Sequence, residues 1–195
     1  MNLANKISIL RILLVPFFIC AIVYYQPEHD YLRFVALGIF GLAVLSDAID
    51  GYLARVLKQR TTLGTFLDPI ADKLLLVAAF ISLSMANNLP ASLRLPPWVP
   101  IIVVSRDVII VLGAIVIFLM SGGIKISPSP LGKTTTFFQM ATIISVLLQY
   151  PYSNYILNVA IAFTVLSGID YIIRGTRLLN ENNRKNPNIK NQMSK

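Results

Sequence analysis

Four of the nine acidic residues of the chain fall between positions 47 and 72. They stand as two pairs, in Asp47-Ala-Ile-Asp50-Gly51-Tyr-Leu-Ala54-Arg55 and in Gly64-Thr-Phe-Leu-Asp68-Pro-Ile-Ala-Asp72-Lys73. Spacings of three and four place each pair on one face of a helix. Ionised carboxylates gathered in one volume repel one another and lose hydration unless a cation compensates them. Oxygen ligands with no His or Cys nearby suit a hard divalent ion, magnesium or manganese, and two ions balance four charges. Two such ions can clamp the attacking and leaving oxygens of a displacement at phosphorus. Gly51 and Ala54 leave this face free of bulk, so phosphates can approach the backbone, and Arg55 offers a fork suited to a diphosphate.

Taken singly, each acid has a plainer reading. Asp68 before Pro69 can be a helix N-cap, and Asp47 or Asp50 can pair with Arg55, Lys58 or Lys73. All four acids at these two spacings, with small residues between them, favour a functional site, as intramembrane acids do by default.

The elements that must carry the acids are membrane spans. The chain has 195 residues, 55% hydrophobic and 13% charged, against roughly 25% charged in a soluble domain. With a mean hydropathy of +0.68, this predicts an all-α integral membrane protein of six transmembrane helices, at roughly 20 apolar residues each. The runs are Ile7 to Tyr25, Tyr31 to the Asp47/Asp50 stretch, Phe66 to Ala86 and Trp98 to Met120, and then two more within Thr134 to Ile169. Gln149-Tyr-Pro-Tyr-Ser-Asn154 separates the last two, with Pro151 as breaker and Ser153 or Asn154 as cap. The first run is too long for a signal-peptide core, and no small-residue cleavage site follows it.

Lys6, the Arg55-Lys58-Arg60 loop, Lys125, Lys133 and the tail from Arg174 fall on one side of six spans. By the excess of Lys and Arg in cytoplasmic loops, both termini are cytoplasmic and the aspartates lie at that side. The expected division is a membrane domain over 1–177 and a polar, basic, loosely ordered tail over 178–195. The net charge of +8 then answers anionic headgroups and not nucleic acid. Cys20, the single cysteine, excludes disulfide and thiolate-metal frameworks and reads as a small buried hydrophobe, and His29 reads as solvated. With no internal repeat, an inverted-repeat transporter loses support.

The run Asp47-x2-Asp50-Gly51-x2-Ala54-Arg55-x8-Gly64-x3-Asp68-x3-Asp72 resembles, position for position, the signature of the CDP-alcohol phosphatidyltransferases. The resemblance implies a membrane transferase of phospholipid biosynthesis that uses CDP-diacylglycerol, releases CMP and works with magnesium or manganese. It implies Asp47, Asp50 and Asp68 as main metal ligands. Asp72 would be the general base on the acceptor hydroxyl and a ligand of the second ion, while Gly51, Ala54, Arg55 and Gly64 hold the CDP group. The resemblance implies a homodimer as well, and the spans with the placement of Lys and Arg predict the cytoplasmic (inner) membrane.

Outside the signature, the chain resembles the phosphatidylglycerophosphate synthase and cardiolipin synthase branch. The residues are Asn5-x-Ile7-Ser-x2-Arg11-x4-Pro16, Gln59-Arg60-Thr-Thr-Leu63, Ser105-Arg106-Asp107, Gly132-Lys133-x2-Thr136-x2-Gln139-Met140 and Ser167-Gly-x-Asp170-Tyr171. Arg106 and Lys133 could neutralise the phosphate of an anionic acceptor. Alternatively, Arg106-Asp107 is an intramembrane ion pair and Lys133 an interface anchor. Phosphatidylglycerophosphate synthases usually read Gly-Lys-x-Lys-Thr, and here the second lysine position is Thr135. Glycerol 3-phosphate stands first as acceptor, giving phosphatidylglycerophosphate. The missing cation leaves room for phosphatidylglycerol and a cardiolipin synthase, or for another CDP-alcohol phosphatidyltransferase. A cation channel or carrier would account for the acids but not for Arg55 and Gly64 at fixed offsets from them.

Overall fold

The computed structural model describes the backbone over residues 3–57, 62–120 and 129–185, and side chains over 9–46, 73–117 and 129–178. Within these residues the chain is all helical: α1 Leu3–Val23, a short 3-10 turn at Pro27–His29, α2 Tyr31–Leu57, α3 Thr62–Met85, α4 Trp98–Met120, α5 Pro130–Leu147 and α6 Ser153–Lys185. The expected break before α6 is where the sequence puts it. Gln149 takes a positive φ of 52°, and the amides of Gln149 and Tyr150 return to the carbonyls of Val146 and Ser145. That closes α5 in a Schellman turn, after which Pro151 cannot continue the helix.

Helices α1 and α5 start about a turn before the expected runs, at Leu3 and Pro130, and two other boundaries differ with more consequence. Helix α3 starts at Thr62, so Asp68 and Pro69 lie inside the helix and the N-cap reading of Asp68 does not hold. Helix α6 runs beyond Arg177 to Lys185, since extending a formed helix costs far less than starting one.

Side-chain bonds fix how the helices run. Asn88, just past α3, donates to the carbonyls of Ile22, Val23 and Tyr25 at 3.1, 3.0 and 2.5 Å. These are among the last carbonyls of α1 and its exit, which lack intrahelical donors. Arg33, in the first turns of α2, pairs with Asp30 at 2.7 Å and donates to the Leu147 carbonyl at the end of α5 at 2.9 Å. The C-termini of α1, α3 and α5 therefore share one end with the N-terminus of α2. The opposite end holds the last turns of α2 and the first turns of α3, which bear the aspartates, together with the start of α5.

The core threads α1, α2, α3 and α5, with Phe18, Ile22, Phe40, Phe80, Leu83, Ile143 and Leu147 all buried. Polar groups also turn inward. Gln139 donates to Thr164 at 3.0 Å, and Thr135 bonds the carbonyls of Leu131 and Phe163 at 2.8 and 3.0 Å. Such bonds join helices where no water competes. The outside is apolar: Leu13 and Phe17 on α1, Leu42 and Leu45 on α2, Ile101 and Leu112 on α4, and Leu166 and Ile173 on α6 are exposed. Trp98–Ile117 and Ser153–Leu178 are long and apolar enough to cross a membrane. Ile9–Val23, Tyr31–Ser46 and Lys73–Met85 are shorter apolar stretches of the described residues. Cys20 is exposed and not buried as expected, on a helix whose outer face also carries the exposed Leu13 and Phe17.

Candidate active site

The backbone places Asp47, Asp50, Gly51, Ala54 and Arg55 in the second half of α2, and Gly64, Asp68 and Asp72 in the first half of α3. Their side chains lie outside the described residues. Among the described residues no group of three or more His, Cys, Asp or Glu could hold a metal ion. The donor set the backbone carries on α2 and α3 is four carboxylates, which by its chemistry fits a hard divalent cation.

Beside these turns the described side chains build a cavity of about 330 Å³ between α4, α5 and α6, lined by Lys73, Arg106, Ser129, Lys133, Ser167 and Tyr171 among others. It is reached from α3 through Lys73, the residue after Asp72. A larger groove of about 680 Å³ between α3 and α4 is lined by apolar residues with Ser84 and Ser105, and it carries no charged side chain.

Arg106 is the centre of the smaller cavity. Its Nη1 donates to Asp107 Oδ1 at 2.7 Å and its Nη2 to Ser167 Oγ on α6 at 2.5 Å. Lys73 Nζ approaches the same Oδ1 at 2.6 Å, so one carboxylate oxygen ties α3 to α4. Among the described residues, Lys73 is paired with Asp107. Arg106 Nε and Asp107 Oδ2 are buried without a hydrogen-bond partner among the described residues. The Arg106-Asp107 ion pair and the lining of a cavity are thus one arrangement.

Local sequence sets this geometry. Ser129 caps α5 by accepting from the Gly132 amide at 3.0 Å, with Pro130 at the first helical position, the preferred start of a helix. That turn presents Lys133, which is exposed and makes no ion pair with described residues. Gly132 allows α5 to pass Arg106, since a Cβ there would stand 3.3 Å from Nη2. Thr135, where a second lysine was expected, is fully buried against α6 and does not line the cavity. The missing lysine therefore takes no cation from the cavity that this chain builds.

Sequence reasoning singled out Arg106 and Lys133, and the structure brings them together. It did not assign Lys73, Ser129, Ser167 or Tyr171 to a site. A signal existed in the last two, which stand four apart on α6 and so share one face of it. Arg11, from the N-terminal motif, is 1% exposed and lies beside Ala43, Val44, Leu75 and Leu76, one turn deeper than Asp47 and Asp72 along their helices.

The helical bundle thus carries the aspartate-rich signature of a phosphatidyltransferase in the sequence of α2 and α3, beside a cavity lined by Lys73, Arg106 and Lys133. The family model of CDP-alcohol phosphatidyltransferase matches residues 1–166, and the chain belongs to that membrane-associated enzyme family. It is 36% identical over 184 residues to a probable phosphatidylglycerophosphate synthase of Mycobacterium tuberculosis, covering 90% of this chain and 82% of that protein. It is 33% identical over 201 residues to the CDP-diacylglycerol–glycerol-3-phosphate 3-phosphatidyltransferase of Bacillus subtilis, covering 93% and 99%. A human cardiolipin synthase (CMP-forming) is 37% identical over 111 residues, covering 56% of this chain and 33% of that protein.

Proposed function

We propose that the chain transfers the phosphatidyl group of CDP-diacylglycerol to glycerol 3-phosphate, giving phosphatidylglycerophosphate and CMP. The observation that carries the choice of acceptor is the charge of the cavity. Lys73, Arg106 and Lys133 stand against Asp107 alone, leaving two positive charges in excess among the described residues. A phosphate monoester brings nearly two negative charges, whereas the diester of phosphatidylglycerol brings one. The relatives with this enzyme name over nearly their whole length point the same way.

In this reading all six helices span the cytoplasmic membrane, with both termini and the aspartates on the cytoplasmic side. The shared end of the aspartate-bearing turns and of the start of α5 supports it, as does the placement of the basic residues. Asp47, Asp50 and Asp68, together with Asp72, hold divalent magnesium or manganese, which when bound neutralises charge on the diphosphate. Gly51, Ala54 and Gly64 let the CDP group approach the backbone, and Arg55 grips its phosphates.

Asp72 takes the proton of the acceptor hydroxyl. The hydroxyl oxygen forms a bond to the phosphorus that bears diacylglycerol, and the bond from that phosphorus to the bridging oxygen breaks. CMP leaves with the bridging oxygen. Arg106 and Lys133 hold the acceptor's phosphate, and Asp107 and Ser167 fix the plane of the Arg106 guanidinium. The test is CMP release from CDP-diacylglycerol with magnesium or manganese, offering glycerol 3-phosphate and phosphatidylglycerol separately. Product with glycerol 3-phosphate is expected. Product with phosphatidylglycerol alone would make the chain a cardiolipin synthase, and no CMP with any alcohol would remove the transferase reading.

A further inference from the structure

The hydroxyl of Tyr171 is shielded from solvent and has no hydrogen-bond partner among the described residues, although its residue lines the basic cavity. Buried phenols normally find a partner, because the lost hydration is otherwise uncompensated. The ring reaches this place only because α4 carries glycine beneath it. A Cβ at Gly113 would stand 2.8 Å from Tyr171 Cε1, closer than real Cβ contacts allow. One turn earlier on α6, Ser167 Oγ is occupied by Arg106 Nη2 at 2.5 Å. The guanidinium that Ser167 holds belongs to a residue lining the same cavity. Tyr171, whose hydroxyl lacks a partner among the described residues and whose ring Gly113 makes room for, thus lines one cavity with Lys73, Arg106 and Lys133.

We propose that Tyr171 is a specificity-determining residue whose O–H donates to the phosphate monoester of the acceptor, beside Arg106. This rests on the reading of the cavity as the acceptor site. A monoester has three terminal oxygens for Arg106, Lys133 and Tyr171 to share. A diester has two, so the phenol contributes to the preference for a free phosphate end group. No bond is made or broken by Tyr171 itself; it holds the substrate.

The experiment uses the full chain in detergent with Tyr171→Phe and, as a second probe, Gly113→Ala, which moves the ring. KM for glycerol 3-phosphate and for CDP-diacylglycerol are measured separately, together with Tm with and without glycerol 3-phosphate. For Tyr171→Phe, KM for glycerol 3-phosphate is expected to rise about tenfold, with KM for CDP-diacylglycerol within twofold. The rise of Tm on adding glycerol 3-phosphate should shrink, while the ligand-free Tm stays level or increases, because an unpaired buried hydroxyl has been removed. A ligand-free Tm lower by several degrees would make the hydroxyl structural and overturn the proposal. So would an unchanged KM in a chain whose wild type turns over glycerol 3-phosphate. A wild type that neither binds nor uses glycerol 3-phosphate overturns the acceptor reading itself, and this proposal with it.

Discussion

Replacing Arg106 with methionine tests the cavity directly. The residue is 7% exposed, its Nη1 and Nη2 engage Asp107 and Ser167, and its Nε has no partner among the described residues. One hydrogen bond from this guanidinium to an acceptor phosphate is worth about 1.5–3 kcal/mol. Its loss should therefore lower kcat/KM for glycerol 3-phosphate roughly 10- to 150-fold, since about 1.4 kcal/mol is a factor of ten. Removing one partner of a buried ion pair commonly costs about 3–5 kcal/mol of stability. Here Asp107 keeps Lys73 at 2.6 Å, so the loss should fall short of that range, about 1–3 kcal/mol. Arg106→Lys retains the charge but not the fork and should lie between wild type and Arg106→Met. The assay is CMP release with each substrate varied in turn, alongside thermal unfolding. A fall of less than threefold, or an equal rise in KM for CDP-diacylglycerol, would refute Arg106 as part of the acceptor site.

Three further outcomes are expected. Asp72→Asn should abolish turnover while leaving CDP-diacylglycerol binding largely intact, and binding lost in parallel with rate would end its assignment as general base. Asn88→Ala strips donors from the carbonyls of Ile22, Val23 and Tyr25; unfolding measurements should show a loss of about 1–3 kcal/mol with KM for both substrates unchanged. Asp30, between α1 and α2, is held below the usual carboxylate range chiefly by its hydrogen bonds from Arg33. Because its folded value is depressed, its contribution to stability is present above the ordinary carboxylate pKa and is lost as pH falls through the lowered one. Asp30→Asn should flatten that acid-side dependence of Tm, and an unchanged slope would count against the pairing.

The helices were legible where apolar runs meet strong breakers, and less so elsewhere. Trp98–Met120 agrees with the expected span at both ends, and Pro151 with its polar neighbours marks the α5–α6 turn. The start of α3 was hidden because Gly64 and Pro69 sit inside the helix, where the sequence reads as a break or a new start. Cys20 shows a deeper limit. In lipid, core and exterior both accept apolar side chains, so helical periodicity no longer tells inside from outside. Polar residues in apolar helices stand out, but it was the family resemblance that assigned Arg106 and Lys133 to an acceptor site, and both line one cavity.

Thr135 shows what spacing alone cannot decide. In the linear motif it occupies a position where a lysine would add a cation, and its presence argued for a less anionic acceptor. On α5 the side chains of Lys133 and Thr135 project about 200° apart around the helix axis. Lys133 and Thr136 border the cavity, while Thr135 is closed against the Phe163 carbonyl of α6. The cavity draws its remaining charge from Lys73 on α3 and Arg106 on α4, and Asp107 holds that pair together. In the proposed reading, acceptor charge is met by residues from three helices that line this one cavity. A count of lysines along α5 alone measures something else.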